Sequence, residues 1–212
     1  MQNRTKIPSR HSETGGQTLS RRLFIALIPD RHTINRIAAL QKQVHGRLVP
    51  AQNLHLTLAF LGNQPEEVRV HLSCFLEQTV FRSFDLLLDT IGFFPKIRLS
   101  WLGPSAIPDA LHHLHRNIQA YLTQNRLADG HERFRPHITL ARQSVSSEWT
   151  PEFPIKWQVT RLALMQSVLS HEPGVHPKYR ILYEKKSHIR KRLTHRLHPG
   201  YHVHIPAIRL MT

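Results

Sequence analysis

The sequence predicts an α+β fold of two similar lobes, and three observations predict it. Strand-like apolar runs alternate with amphipathic helical segments across residues 21–184. A unit of strand, helix and strand is written twice: ALIPD (26–30) opens the helix ahead of HLTLA (55–59), and SAIPD (105–109) opens the helix ahead of HITLA (137–141). From Asp30 to His55 is 25 residues and from Asp109 to His137 is 28, so the two units are of similar size and imply lobes related by an approximate two-fold axis. Finally, FDLLLDTIGFF and IRLSWLG meet at Pro95-Lys96, which reads as a hairpin.

In chain order, residues 1–20 are polar, contain Gly-Gly and Pro, show no apolar period and are expected to form a flexible leader. RLFIALIP is a buried strand closed by Pro29. Asp30 then caps a helix expected to run to about Gly46, with Ile34, Ile37, Leu40 and Val44 on one face. LHLTLAFLG is the next strand. Pro65 and the acids after it open a second helix reaching about Val80. After the hairpin, Pro108 to about Leu127 carries Leu111, Leu114, Ile118 and Leu122 at helical spacing. The second His-x-Thr strand follows, then WQVTRLALMQSVL and KYRILYEK as the last strands, separated by the loop SHEPGVHP. Residues 21–184 therefore form one domain, and 185–212 a basic, His-rich tail that is either solvated or an arm attracting RNA.

Composition narrows the class of function. One cysteine, Cys74, permits no internal disulfide and no Cys-x-x-Cys zinc site, which favours a reducing cytoplasm. The N-terminal apolar run LFIAL, with Ile28 beside it, is far short of the roughly 20 residues of a membrane span. The net charge is +15, of which +9 lies in residues 1–20 and 185–212, and the remaining +6 still favours an anionic partner such as nucleic acid. A monomer is expected.

In a strand, residues i and i+2 share a face, so His55 with Thr57, and His137 with Thr139, each present an imidazole beside a hydroxyl. Leu56 and Ile138 point the other way and anchor the strands. Two imidazoles and two hydroxyls on facing lobes suit metal-free phosphodiester chemistry, one imidazole accepting a proton and the other donating one while the hydroxyls hold phosphate oxygens. Arg142 would stabilise the developing anion. Its offset of five from His137 turns it to the opposite face of a regular strand, and a bulge or bend would bring it back. Trp101 and Phe134 either stack on a nucleobase or pack into the core, and Arg135 either reaches a phosphate or is solvated. His112 and His115, at i and i+3, have no evident third metal ligand.

The paired HLTL and HITL, with RLFIAL, FFPKIRLSWLG and HEPGVHPKYRILYE, resemble an RNA 2',3'-cyclic phosphodiesterase of the two-histidine (2H) phosphoesterase superfamily, the group also called 2'-5' RNA ligases; the resemblance spans residues 21–184. It implies a bilobal fold of antiparallel sheets with flanking helices around a cleft. It further implies no metal or other cofactor, and hydrolysis of a cyclic phosphate end of RNA to a 2'-phosphate, reversible as 2'-5' ligation. By motif position it makes His55 the proton donor and His137 the proton acceptor. The alternatives are a 2H esterase acting on a small cyclic nucleotide or an ADP-ribose derivative, and a non-catalytic RNA-binding module.

Overall fold

A computed structural model describes residues 20–127, 134–145, 151–169 and 175–187. Most of the leader and of the basic tail therefore lies outside the described residues.

The first strand, β1 (Arg21–Leu27), is apolar on both faces and becomes the centre of one half of a large sheet. Its Leu23, Ile25 and Leu27 join the main core, while Phe24 and Ala26 join a smaller cluster on the other face. Asp30 accepts hydrogen bonds from the Thr33 backbone N–H (2.9 Å) and hydroxyl (2.8 Å), starting α1 (Arg31–Gln41). This helix ends five residues short of the expected Gly46. The Gln41 amide is turned inward and donates to the Val49 (2.9 Å) and Leu140 (2.8 Å) carbonyls, so residues 42–46 form turns that lead into a short strand, β2 (Arg47–Leu48), absent from the sequence reading. Then come β3 (Leu56–Gln64) and α2 (Glu66–Gln78), which Pro65 precedes as expected.

FDLLLDTIGFF is two strands rather than one. β4 (Phe84–Leu88) and β5 (Thr90–Phe94) belong to different sheets. The break is at Asp89, whose carboxylate accepts from the Ser105 backbone N–H and hydroxyl, both at 2.6 Å. β5 forms the expected hairpin with β6 (Leu99–Gly103) across Pro95–Ile97. After α3 (Asp109–Gln124) comes β7 (Ile138–Arg142). WQVTRLALMQSVL splits in the same manner into β8 (Ile155–Val159) and β9 (Arg161–Val168). The last strand, β10 (Lys178–Lys186), runs two residues beyond 184, and the Ser187 N–H donates to the Thr160 carbonyl.

The two sheets are antiparallel. The large one runs β10-β9-β1-β3-β7-β6-β5 with β2 beside β7, and the small one is β4-β8. The large sheet consists of two halves joined at one Cα pair, Leu56↔Ile138. Both side chains at this seam are fully buried, each worth about 1.5–3 kcal/mol of hydrophobic stabilisation. The helices are exchanged across it. α1, which follows β1 in the first half, packs on β7 and β8, whereas α3, which precedes β7, packs on β3. Among the described residues no helix is long and apolar enough to cross a membrane.

Candidate active site

The seam places the two motifs. His55 and His137 each immediately precede a strand, β3 and β7, rather than lying within one. Carried one residue either way from Leu56↔Ile138, the antiparallel register sets His55 opposite Thr139 and Thr57 opposite His137. Directly opposed residues share a face. All four line one cleft of about 490 Å³, within the range of small-ligand sites.

The two histidines are held alike. The His55 Nδ1–H donates to the Asn53 carbonyl and the His137 Nδ1–H to the Arg135 carbonyl, each at 2.7 Å and each two residues back along the chain. These bonds fix the tautomer and leave Nε2 as the nitrogen available to a ligand. Asn53, itself buried, donates through Nδ2 to the Pro177 carbonyl at 2.8 Å and ties the segment before β10 to the first motif. Aromatic rings enclose both imidazoles. Phe24 (5.0 Å) and Tyr179 (5.1 Å) flank His55, while Phe94 (5.1 Å) and Trp101 (6.3 Å) flank His137, measured between ring centroids.

Arg142 also lines the cleft, and the register shows how. Trp101 of β6 pairs with Thr139 but Ser100 pairs with Ala141, so Leu140 is an extra residue, a β-bulge, in β7. The bulge reverses the alternation of faces, and a residue five positions from His137 returns to its side. β3 does the same: Ala26 pairs with Thr57 and Ile25 with Ala59, which makes Leu58 the extra residue. Each bulged carbonyl receives a glutamine amide from the exchanged helix, Leu140 from Gln41 (2.8 Å) and Leu58 from Gln119 (3.4 Å). By the same offset, the counterpart of Arg142 is Phe60. This ring is 68% exposed, lines the cleft and was missed in the sequence, where aligning the two motifs would have singled it out.

Other sequence candidates lie elsewhere. Phe134 stacks on His115 of α3 (3.7 Å between centroids, 13° between planes) and packs against the core. Trp101 fills the space above Gly92, where a Cβ would lie 2.1 Å from its ring, and is not among the cleft-lining residues. The Arg135 side chain is exposed outside the cleft, and its carbonyl is what serves the site. Among the described residues no three His, Cys, Asp or Glu side chains cluster as a metal site.

Burial, together with the positive charge of nearby His137 and Arg142, lowers the His55 pKa to about 4 against the opposing bond to Asn53. Burial and then Arg142 also lower that of His137, against its bond to Arg135. Both imidazoles are consequently neutral in the free protein near pH 7. The unfolded chain protonates these groups near pH 6.5 while the folded chain resists, so stability falls as pH drops from about 6.5 to about 4 and is fully present above that window. His55 alone contributes a loss of about 3 kcal/mol. Denaturant midpoints at pH 7.5 and 4.5 should show it, with a smaller acid loss in His55→Asn; equal losses in both proteins would refute the assignment.

Comparison with known proteins gives a consistent set of relatives. The sequence profile of the 2'-5' RNA ligase superfamily matches residues 29–170. The RNA 2',3'-cyclic phosphodiesterase of Escherichia coli is 34% identical over 124 residues, covering 58% of this chain and 70% of that protein. The protein of the same name from Aeropyrum pernix is 26% identical over 172 residues, covering 73% and 96%. Crystal structures of E. coli LigT superpose well. Its complex with 3'-AMP has a TM-score of 0.72 at 28% identity over 80% of this chain and 99% of that one. Its phosphate complex has a TM-score of 0.67 at 29% identity over 79% and 98%.

Proposed function

Because this chain belongs to the 2'-5' RNA ligase superfamily, we propose that it hydrolyses the 2',3'-cyclic phosphate end of RNA to a 2'-phosphomonoester, with His55 and His137 as the acid and base. The observation that carries this reading is the matched pair of Nδ1–H bonds, which leave two Nε2 atoms for a ligand on either side of one seam.

The cyclic diester places a negative charge between the imidazoles, and that charge favours protonation of one of them, offsetting the burial that keeps both neutral in the free protein. Neutral His137 takes a proton from water through Nε2, and the water oxygen bonds to phosphorus. The bond from phosphorus to the sugar 3'-oxygen breaks, and the His55 imidazolium protonates that oxygen. The product keeps the 2'-phosphate and a free 3'-hydroxyl. Thr57 and Thr139 donate hydrogen bonds to the non-bridging oxygens, and the Arg142 guanidinium stabilises the charge that builds on them. Phe60, with Phe24 beside it (6.1 Å between centroids), provides an apolar wall for the base. A 5'-hydroxyl in place of water would run the same steps as 2'-5' ligation.

The test is incubation with a 2',3'-cyclic mononucleotide and with an oligonucleotide ending in a cyclic phosphate, each with and without excess EDTA, with products identified by phosphorus NMR. Expected are 2'-phosphomonoesters from both and rates unchanged by EDTA, because the acid, base and anion-stabilising groups are all side chains. Turnover of the mononucleotide alone would favour a small cyclic phosphate as substrate. A 3'-phosphate product, or activity abolished by EDTA and restored by a divalent ion, would overturn the mechanism.

A further inference from the structure

Leu140 is the extra residue that turns Arg142 into the cleft, and its carbonyl is held twice. It accepts the Val49 backbone N–H at 2.8 Å and the Gln41 side-chain amide at 2.8 Å. The same amide nitrogen donates to the Val49 carbonyl at 2.9 Å, so both of its hydrogens and both acceptor positions on Leu140 are used. Gln41, Val49 and Leu140 are all buried, where a lost hydrogen bond is not made good by bulk water. A bulge disrupts the ladder around it, so its geometry depends on what else holds the extra residue. Here that is Gln41, the last residue of α1, 99 residues away along the chain.

The segment after α1 holds β7 again just past the bulge. Gly46, at a φ of 121°, lies so close that a Cβ there would be 2.9 Å from the Arg142 carbonyl oxygen, and the Ser144 hydroxyl donates to the His45 carbonyl. The backbone is therefore held on both sides of Arg142 while its side chain is left to the cleft. β3 offers the comparison. Gln119 reaches the Leu58 carbonyl at 3.4 Å, a longer bond, and the residue two positions on is the apolar Phe60. An apolar wall tolerates displacement, whereas a guanidinium bonded to a phosphate oxygen does not. The tighter hold is on the strand whose bulge aims a charge.

We propose that Gln41 is a positioning residue of the site: it fixes the Leu140 bulge, and through it the place of the Arg142 guanidinium, without touching the substrate. The assignment deepens the proposed activity and rests on it for the reaction that Arg142 serves.

The test is a double-substitution cycle read on a 2',3'-cyclic mononucleotide. Gln41→Leu should lower kcat by about tenfold or more with a smaller change in KM, as expected when a transition-state contact is displaced. In an Arg142→Ala background the same substitution should cost less than about twofold, because the group it positions is already gone. Asp30→Ala, which uncaps the other end of α1, should leave kcat unchanged. Where Gln41→Leu fails to fold, Gln41→Glu takes its place. Its carboxyl donates one hydrogen bond while protonated, so its kcat should fall relative to the unsubstituted protein as pH rises and that proton is lost. A loss undiminished in the Arg142→Ala background, an equal drop in Asp30→Ala, or a rise in KM alone would overturn the assignment. A crystal structure of the ligand-free variant reads the same inference without turnover. The Leu140 bulge should be altered and the Arg142 side chain displaced from the cleft; an unmoved Arg142 would overturn the inference even in a protein that hydrolyses no cyclic phosphate.

Discussion

His55→Ala is expected to slow hydrolysis of a cyclic phosphate by about 10²–10⁴-fold and to slow an aryl phosphodiester far less, because an aryl oxide leaves as a stable anion and needs no proton. His137→Ala should be impaired on both, since water must still be deprotonated. The fold presents the two histidines as equivalents: each precedes its strand, each bonds the carbonyl two residues back, and each faces the other motif's threonine across the seam. These shared arrangements do not say which histidine donates, so the leaving group is the proper probe. Provided the aryl ester is turned over by the unsubstituted protein, equal losses for His55→Ala on both substrates would reject its role as donor. Rescue of His137→Ala alone by the aryl ester would exchange the two roles.

Arg142→Ala should lower kcat by about 10²–10³-fold with a smaller change in KM, as expected for a cation that meets charge developing in the transition state. Arg142→Lys should recover part of this, since the charge remains but the planar fork of donors is lost. The effect depends on the Leu140 bulge, without which residue 142 would face away from the cleft. A variant with raised KM and unchanged kcat would show that Arg142 binds ground state and transition state alike.

That the two His-x-Thr pairs line one cleft was legible in the sequence, because a polar pair at i and i+2 between apolar anchors is visible in the letters. The Pro-Asp helix starts and the Pro95 hairpin were legible for the same reason: proline and aspartate act locally. What could not be read depends on distant partners. The bulges fall at two ordinary leucines whose carbonyls are bonded by Gln41 and Gln119, which come from 99 and 61 residues away. The splits at Asp89 and Thr160 divide continuous apolar runs between two sheets, and only the Ser105 hydrogen bonds to Asp89 mark the first. Phe134 and Trp101 take their positions from His115 and Gly92, and Arg47 enters the cleft through a two-residue strand with no pattern of its own.

With one ladder pair at the seam, the sheet's own hydrogen bonds hold His55 and His137 in relation to each other at that pair alone. α1, which packs on β7, and α3, which packs on β3, tie the two halves together beside that pair. Ile37 of α1 and Leu114 and Ile118 of α3 are buried at these contacts, and a change in their volume is expected to shift one histidine motif against the other. A displacement of about 1 Å can cost about 10²-fold in rate, so turnover in this fold should report on core volume more sensitively than melting temperature does.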